Sequence, residues 1–558
     1  MSVATDAFAQ ALGTLAAQPQ EPPDRPPAYD VFGAKQAQGA TGTTLADLPA
    51  TGRIAALTSP LRAGKTTSER LVREALDLIA AENDELTAFV EVHAAEALAV
   101  AAERDTQLAT GTVLGPLHGL PISVKDVIDV GGMTTRCGSD AYEEHPADDA
   151  AAVALLRAAG AIVLGKTATH EFALGVTSPQ SRNPHDRTRI PGGSSGGSAV
   201  AVTTGMSVVS LGTDTRASIR VPAALCGIVG MRPTYGTSPT AGMVPLSWTM
   251  DTTALLAPTV ADVAVAMDVI RPTVDPVAGA VGAPVDTLRV GIPRAAWEDV
   301  TPVVDAAVES ALTKLAGLVA DVGELRRPDA ADFAAGNALG LIVSRSEAAA
   351  FHRAAGLDRS LYWDEVRDQL DAADGVLAID YIDAQRSRAA LHDDMRGVFD
   401  LVDVLAMPTT PVQAPLAEDA EDYLTVLSRN AILWSFVGFP AISIPCPVPD
   451  GELPVGLQLV AAPGGEATLI ALAAALTSEP RRARRARGRR PSGRPASGPR
   501  RAVPSRPARR SAGRRRVRSR PGACRRRRRA ARAAPRPSPD RSASRQPAGR
   551  PPGRPAPP

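Results

Sequence analysis

With 558 residues, 44% of them hydrophobic, the chain is long enough to bury a large core or to form two or more domains. Aromatic residues make up only 3%, which argues against a nucleic-acid-binding surface built on base stacking. The formal net charge of +1 conceals two oppositely charged parts: residues 481–558 contain 29 arginines and one aspartate, whereas residues 1–480 contain 32 basic and 59 acidic residues.

The predicted elements begin after a leader. Residues 1–50 are rich in alanine, glutamine, proline and glycine with weak periodicity, and we expect a loose segment. Thr66 to Glu69 has a capping-box pattern, which predicts the start of a helix. Apolar runs that predict strands then alternate with helical patterns, at LTAFVEV, GLPISVKDVIDV, AIVLGK, SVVSLG, TLRVGIP, DVLAMPTTP, PAISIPCPV and PVGLQLVAAP. The alternation favours an α/β fold whose sheet has helices on both faces, with residues 300–400 as a mostly helical cap.

The last part of the chain, residues 481–558, consists almost only of arginine, proline, alanine, glycine and serine. Such a segment cannot bury a core and its like charges repel, so we expect a disordered basic tail. One interpretation is an arm that binds nucleic acid or another polyanion, since arginine runs neutralise phosphates. The interpretation that we favour is a shifted reading frame in GC-rich DNA, because arginine, proline, alanine and glycine are the amino acids encoded by GC-only codons.

The N-terminus and the cysteines indicate in which cellular compartment the protein is expected. The first 20 residues lack the basic start and apolar centre of a signal peptide. A membrane span needs about 18 uninterrupted apolar residues, and no stretch approaches that length. We therefore expect a cytoplasmic protein without a membrane partner, and the sequence leaves homo-oligomerisation open. Buried free thiols, rather than a zinc site or disulfides, are predicted for the four scattered cysteines, Cys137, Cys226, Cys446 and Cys524.

Two polar positions stand out within apolar surroundings. Lys125 in PISVKDVIDV lies inside a predicted strand, and a salt bridge to Asp126 or Asp129 is one explanation. The other is a lysine whose pKa is lowered by burial, so that its neutral amine can act as a base. Farther along, four glycines surround Ser194 and Ser195 in PGGSSGGSAVAV. They permit a tight backbone of the kind that brings N–H groups toward a ligand.

Ser218 in GTDTRASIRVPAALCG follows a predicted strand end, where nucleophiles are often displayed. A Ser-His-Asp triad needs a histidine beside the serine in space. The GxSxG turn is absent, and no recognisable triad element contains one of the candidates His118, His145, His170 and His185. We do not favour a triad. Since no HExxH or comparable spacing is present, no metal site and no other cofactor is predicted.

Lys125, Ser194 and Ser218 together resemble the amidase signature family, including the spacing of 24 residues between the two serines. The segments GKTATHEFA, RNPHD, DVLAMPTTP and PVGLQLVAAPGGEATLIALAAAL also resemble the family, in the same order. The resemblance covers roughly residues 50–478. It implies an α/β fold with a mixed central β-sheet covered by helices on both faces, and we assign residues 51–480 to one amidase domain.

The resemblance also implies a Ser-Ser-Lys mechanism that needs no histidine. Ser218 would attack the amide carbonyl, Ser194, held by a cis peptide, would relay its proton, and Lys125 would be the base. For Asp214 and Arg220, which flank the turn, we expect a structural ion pair. The oxyanion hole would consist of the backbone N–H groups of Thr215, Arg216, Ala217 and Ser218.

The chain departs from the family in one place, because Arg216 and Ala217 stand where the family usually has two glycines. Backbone donors do not depend on side-chain identity, although a Cβ restricts φ. Arg216 either tunes the acyl pocket toward an anionic substrate or belongs to a crippled site, and retention of the three chemical residues favours activity. Because we expect an exposed turn, an outward orientation of the Arg216 side chain is favoured slightly.

The resulting functional prediction is an amidase that hydrolyses a carboxylic acid amide to acid and ammonia or amine. Its expected partner is a small-molecule amide, without metal or cofactor. The alternative is the glutaminase (A) subunit of a tRNA-dependent amidotransferase, which works with a partner that carries the tRNA. An alternative of another class is a polyanion-binding protein built on an inactive hydrolase scaffold, with nucleic acid contacted only through the basic tail.

Overall fold

The structure, a computed structural model, describes residues 3–16, 49–272 and 274–478. The predictions for the basic tail and for residues 17–48 of the leader therefore lie outside the described residues, and so does Cys524. Three of the four cysteines are described, and each is a buried free thiol as predicted, namely Cys137, Cys226 and Cys446.

In the described residues, eleven strands form one mixed sheet. In chain order they are β1 Phe89–Val92, β2 Pro121–Lys125, β3 Ile162–Thr167, β4 Ser210–Thr213, β5 Val229–Arg232, β6 Thr253–Ala257, β7 Arg289–Pro293, β8 Asp321–Leu325, β9 Val404–Pro408, β10 Ala441–Pro445 and β11 Gly456–Val460. Their spatial order is β1-β3-β2-β4-β6-β5-β10-β11-β9-β7-β8. The mixed central sheet of the predicted α/β fold is confirmed.

Helices connect the strands and cover the sheet. They are α1 Val3–Ala16, α2 Arg53–Arg62, α3 Ser68–Leu86, α4 Ala94–Ala109, α5 Ala151–Ala158, α6 Gly196–Thr203, α7 Arg220–Cys226, α8 Val260–Ile270, α9 Pro302–Ala316, α10 Ala330–Ala355, α11 Asp364–Ala373, α12 Ala378–Val398, α13 Ile432–Phe436 and α14 Glu466–Thr477. Every residue of β2, β3, β4, β6, β9 and β11 is buried. Successive strand residues point to opposite faces, so both faces of the central sheet are covered.

The order of the central strands brings two chain segments together. Strand β2 is parallel to β3 on one side and to β4 on the other, with Val124 opposite Leu211 in the second pairing. Because parallel strands end at the same edge of a sheet, the last residues of β2 and β4, Lys125 and Thr213, lie side by side.

Several boundaries differ from the predictions. Helix α3 is capped by Thr67, whose side chain accepts from the Arg70 N–H, so it begins one residue later than the pattern from Thr66 predicts. Strands β5, β6 and β8 were not predicted. Strand β5 contains a glycine and an arginine among its four residues, and β6 is a short apolar run without alternation. Strand β8 lies at the sheet edge, where polar residues replace the apolar run. Apart from β8, residues 300–400 are mostly helical as predicted, in α9 to α12.

The predicted loose leader is wrong for residues 3–16, which form α1 and contact α10 and α11. Ala11 and Leu15 are buried, and Ala7 packs against the same core. These three residues follow one another at intervals of four, so they lie along one face of the helix. Since two of them are alanines in an alanine-rich segment, composition conceals this apolar face.

Within residues 3–16, 49–272 and 274–478, no helix is both long enough and apolar enough to span a membrane.

Candidate active site

The centre of the site is Lys125, the last residue of β2. All five residues of β2 are buried, and the Lys125 side chain is 0% exposed. Its Nζ donates one hydrogen bond to Ser194 Oγ at 2.7 Å and another to Thr213 Oγ1 at 2.7 Å. The structure therefore brings together two of the predicted residues, Lys125 and Ser194. Thr213 is an additional member of the site.

The salt-bridge explanation for Lys125 is wrong. Asp126 pairs instead with a second buried lysine, Lys166, at 3.0 Å. Asp129 accepts a hydrogen bond from Thr135 Oγ1 at 2.9 Å. Across the described part of the chain, no carboxylate forms an ion pair with Lys125. Its amine is therefore surrounded by hydroxyl groups rather than neutralised by an acid.

This environment changes the charge state of the lysine. Burial lowers the pKa of Lys125 to about 7, while the nearby carboxylates of Asp251 and Asp214 raise it in part. Removing a cationic group from water disfavours its protonated form, which is the physical origin of the shift. Near neutral pH a substantial fraction of Lys125 is thus a neutral amine that can accept a proton.

The segment before α6 holds Ser194 against the lysine. The peptide bond between Gly193 and Ser194 is cis, as the family resemblance implies. Ser194 O accepts a hydrogen bond from Ser178 Oγ at 3.1 Å. Glycine is required where the segment meets its neighbours: a Cβ on Gly193 would lie 2.9 Å from the backbone nitrogen of Ser178. The predicted tight backbone is confirmed at this point.

Ser218 lies in the turn between β4 and α7 and is 3% exposed. Its backbone oxygen accepts a hydrogen bond from Ser195 N at 3.2 Å, which joins this turn to the Ser194 segment. Within the described residues the Ser218 hydroxyl has no hydrogen-bond partner, and it borders an open cleft. Lys125 and Ser194 thus form a bonded pair, and Ser218 is the member of the set that faces the cleft.

The same turn exposes unused backbone donors. Among the residues that the structure describes, no acceptor receives the N–H groups of residues 215–218. The next N–H, that of Ile219, is bound by Asp214 Oδ2 at 3.3 Å. Unpaired N–H groups in one turn can receive a negatively charged oxygen, which is the requirement of an oxyanion hole.

A buried ion pair fixes the turn, as the sequence predicts. Arg220 Nε and Nη2 donate to the two carboxylate oxygens of Asp214, each at 3.0 Å. Arg220 Nη1 also donates to Gln458 Oε1 at 2.7 Å. Although burial alone would raise it, the pKa of Asp214 is lowered by the positive charges of Arg220 and Arg232. Two planar groups paired in this bidentate way hold the turn in one orientation.

Thr213 and Asp251 belong to the site but were not predicted from the sequence. Asp251 accepts a hydrogen bond from Thr215 Oγ1 at 2.5 Å and two from the backbone N–H groups of Leu246 and Ser247. Burial raises its pKa to about 7. Thr213 could have been found, because it directly follows the predicted strand SVVSLG, at the sheet edge where Lys125 ends β2. Asp251 precedes β6, a strand that was not predicted, so the sequence did not indicate that Asp251 lies beside the turn.

The cleft beside Ser218 has an empty volume of about 580 Å³, including its open mouth. Arg216 lines it, together with Arg345 and Gln369 from α10 and α11 and Ala7 from α1. The favoured outward orientation of Arg216 is therefore wrong. Its premise was an exposed turn, whereas every residue from 213 to 220 is buried.

Comparison with known protein families gives one match that covers most of the chain. The sequence model of the family described as Amidase matches residues 70–470. The chain is also similar to the A subunit of the glutamyl-tRNA(Gln) amidotransferase of Chloroflexus aurantiacus. The two are 36% identical over 466 residues, which cover 75% of this chain and 94% of that protein.

Solved structures give the same result. A crystal structure described as that of an amidase is similar to this chain with a TM-score of 0.69 and 32% identity, covering 76% of this chain and 98% of that chain. The A subunit of the glutamyl-tRNA(Gln) amidotransferase of Thermotoga maritima is similar with a TM-score of 0.62 and 28% identity, covering 73% of this chain and 90% of that chain. The match thus extends over nearly the whole of both solved chains.

Proposed function

The chain belongs to the amidase family and is a hydrolase of amide C–N bonds, and we propose that it acts through Ser218, Ser194 and Lys125. The overall reaction converts a carboxamide and water into a carboxylic acid and ammonia or an amine. The observation that carries the proposal is the hydrogen bond from Lys125 Nζ to Ser194 Oγ at 2.7 Å, made by a lysine whose pKa is about 7.

In the first step, Ser218 Oγ attacks the carbonyl carbon and forms the new C–O bond. Its proton passes to Ser194, which gives its own proton to the neutral amine of Lys125. The carbonyl oxygen becomes an oxyanion and is received by the N–H groups of residues 215–218. Each well-placed donor of this kind contributes about 2.7–4 kcal/mol to the transition state.

Collapse of the tetrahedral species breaks the C–N bond. The protonated Lys125 returns its proton through Ser194 to the departing nitrogen, which leaves as ammonia or an amine. The acyl group remains on Ser218 as an ester. A water molecule then attacks this ester with the same relay as base, releasing the acid and restoring the Ser218 hydroxyl. The sequence predicts a cytoplasmic setting for this chemistry, and that location stays a prediction.

A second candidate function is that of a glutaminase subunit of an amidotransferase, which uses the same chemistry on one specific substrate, glutamine. The relatives in sequence favour it, because the amidotransferase A subunit from Chloroflexus aurantiacus is 36% identical and is matched over 94% of its length. On this reading the chain would release ammonia from glutamine as one subunit of an amidotransferase, and it would require partner subunits. The candidate of an inactive polyanion-binding scaffold has less support, because the three chemical residues are all present and Lys125 contacts Ser194.

The experiment that tests the proposal is ammonia release by the purified full chain from a panel of simple carboxamides and from glutamine. Hydrolysis of simple amides by the chain alone, abolished by Ser218→Ala, supports the first function. Release only from glutamine, and only after a partner subunit is added, supports the second. A Ser218→Ala variant as active as the wild type would contradict the proposed role of Ser218 in both.

A further inference from the structure

The cleft contains more positive charge than the hydrolysis of an amide requires. We infer that Arg216 and Arg345 bind a carboxylate on the substrate, so that the preferred substrates are monoamides of short dicarboxylic acids. This inference rests on the proposed function and specifies its substrate class. It concerns a binding site and assigns neither arginine a part in proton transfer.

The first element of the site is Arg216, two residues before Ser218. Its side chain lines the same cleft as Ser218, and the residue is 9% exposed. Nε is buried and has no acceptor among the described residues. Burial lowers the pKa of Arg216 to about 10, so the guanidinium stays charged at neutral pH.

The second element is Arg345, on the face of α10 that borders the cleft and 3% exposed. Its Nη2 donates to the backbone oxygen of Leu174 at 3.2 Å. Nε and Nη1 are buried and have no acceptor within the residues described. Burial, followed by the positive charge of Arg216, holds the pKa of Arg345 well below its usual value. Both arginines line the same cleft.

The rest of the cleft does not neutralise these charges. In the described chain no acidic residue lines it, and the other lining residues are apolar or uncharged. Glu365 attracts Arg345, but it does not line the cleft, it contacts the His170 ring, and within the described residues it forms no ion pair with either arginine. Among the described residues neither Arg216 nor Arg345 forms an ion pair, which makes their burial costly, and a bound carboxylate supplies both the charge and the acceptor oxygens.

The same charges select against an ammonium group. Glutamine carries an ammonium next to its carboxylate, and among the described residues the cleft offers two guanidinium groups and no carboxylate for it. Glutaramate has the same carbon chain and the same carboxylate without the ammonium. The site therefore predicts that glutaramate is a better substrate than glutamine, which is the opposite of what a dedicated glutaminase requires.

The test measures kcat/KM by ammonia release from the full chain for two pairs of amides. Glutaramate is compared with valeramide, and succinamate with butyramide, so that each pair differs in the carboxylate alone. L-glutamine is the fifth substrate. For at least one pair we expect the wild type to prefer the anionic amide about 10-fold or more, because charge-assisted hydrogen bonds discriminate by this order. A ratio near one in both pairs would overturn the inference.

The variants assign the preference to residues. Arg345→Met and Arg216→Met should each lower the anionic-to-neutral ratio about tenfold, and Arg345→Lys, which keeps the charge, should give an intermediate ratio. The matched control is Arg70→Met, which removes an exposed arginine on α3 outside the cleft and should leave the ratio unchanged. A ratio as high in Arg345→Met as in the wild type would contradict the assignment.

A binding measurement separates this inference from the proposed function. Glutarate, the dicarboxylate product, is titrated by calorimetry into Ser218→Ala, which does not depend on turnover. Binding that weakens about tenfold on adding Arg345→Met supports the site even where no amide is hydrolysed. Failure of glutarate to bind, combined with normal hydrolysis of neutral amides, would reject the carboxylate site and leave the proposed function intact.

Discussion

Thr213 Oγ1 and Ser194 Oγ accept hydrogen bonds from the same atom, Lys125 Nζ, and each oxygen lies 2.7 Å from it. The ammonium or amine is thereby held between two hydroxyl groups. Ser194 is proposed to move a proton, whereas Thr213 has a positioning role, because it ends β4 and does not border the cleft.

We expect Thr213→Val to lower kcat roughly tenfold with little change in KM, equivalent to about 1.4 kcal/mol, because the lysine loses one of its two anchors. Thr213→Ser keeps the hydroxyl and should retain most activity. Steady-state kinetics on one neutral amide provide the measurement. Equal loss in the valine and serine variants would mean that packing of the methyl group, rather than the hydrogen bond, is what matters.

The relay predicts strong dependence among the three chemical residues. Ser218→Ala and Lys125→Met should each remove nearly all turnover, and Ser194→Ala should be severely impaired. Since residues of one catalytic unit act together, a double variant should cost little more than the worse single variant. Single-turnover rates and thermal midpoints check activity and folding separately. Full activity in Lys125→Met would refute the mechanism.

The pH dependence follows from Lys125 and Asp251, whose pKa values are both about 7. The base is neutral above its pKa, so kcat/KM should rise with pH through about 7. Because Lys125 and Asp251 interact, the midpoint of this rising limb of the pH profile reflects the pair rather than either residue alone. Asp251→Asn removes a negative charge that raises the pKa of Lys125, so the limb should move to lower pH. Asp364→Asn, an exposed residue, is the control. A limb unchanged by Asp251→Asn would contradict the coupling.

The Asp214–Arg220 ion pair predicts an effect on stability that depends on pH. The pKa of Asp214 is lowered in the folded state, so its contribution is present above the unfolded value of about 3.9 and is lost as the pH falls through the lower folded value. Asp214→Asn should cost about 3–5 kcal/mol at pH 7 and much less at strongly acidic pH, because it leaves buried arginines uncompensated.

Denaturant unfolding at a series of pH values from about 7 down to about 2 provides the comparison for Asp214, because the series passes the unfolded carboxylate pKa of about 3.9 and continues toward the lower folded value. The control is Glu74→Gln, which breaks the exposed pair with Arg70 and should change the free energy of unfolding by less than about 0.5 kcal/mol. An equally small effect of Asp214→Asn at pH 7 would show that the buried pair adds little.

Helix α1 gives a prediction about the size of the cleft, since Ala7 lines it. Ala7→Trp should lower kcat/KM for long-chain amides more than for acetamide, by about tenfold, because a bulky side chain fills space that the longer acyl chain needs. Ala9→Trp places the same side chain at an exposed position of the same helix. If kcat/KM depends on acyl-chain length in the same way in both variants, α1 does not limit the length of the substrate.

Local sequence patterns drew attention to Lys125 as a charge within an apolar strand and to Ser194 and Ser218 in turns that precede helices, and the family resemblance supplied their expected roles. The Asp214–Arg220 pair was predictable for the same reason, being confined to a single turn. Contacts between distant segments were not predictable. Arg345 reaches the cleft from α10, more than 100 residues after Ser218, and no local pattern indicates that α10 lies against this turn.

The errors have a common physical origin in burial. Arg216 was expected to point outward because a turn with charged residues is commonly exposed, yet this turn is enclosed by the surrounding elements. Asp251 was missed because it lies 36 residues after Thr215, from whose hydroxyl it accepts a hydrogen bond, and no local pattern joins the two segments. Burial depends on what packs over a segment, which the sequence of that segment does not contain.

Arg216 supplies a backbone N–H to the turn around Ser218 and a guanidinium to the cleft. On the proposed mechanism, one residue therefore sets the distance between the reacting carbonyl and the remote carboxylate of the substrate. An amide that is one methylene too short or too long can satisfy one of these contacts and not both. Only an amide of the right length makes both contacts at once, and it does so when the oxyanion forms. Differences in acyl-chain length should therefore change kcat more than KM.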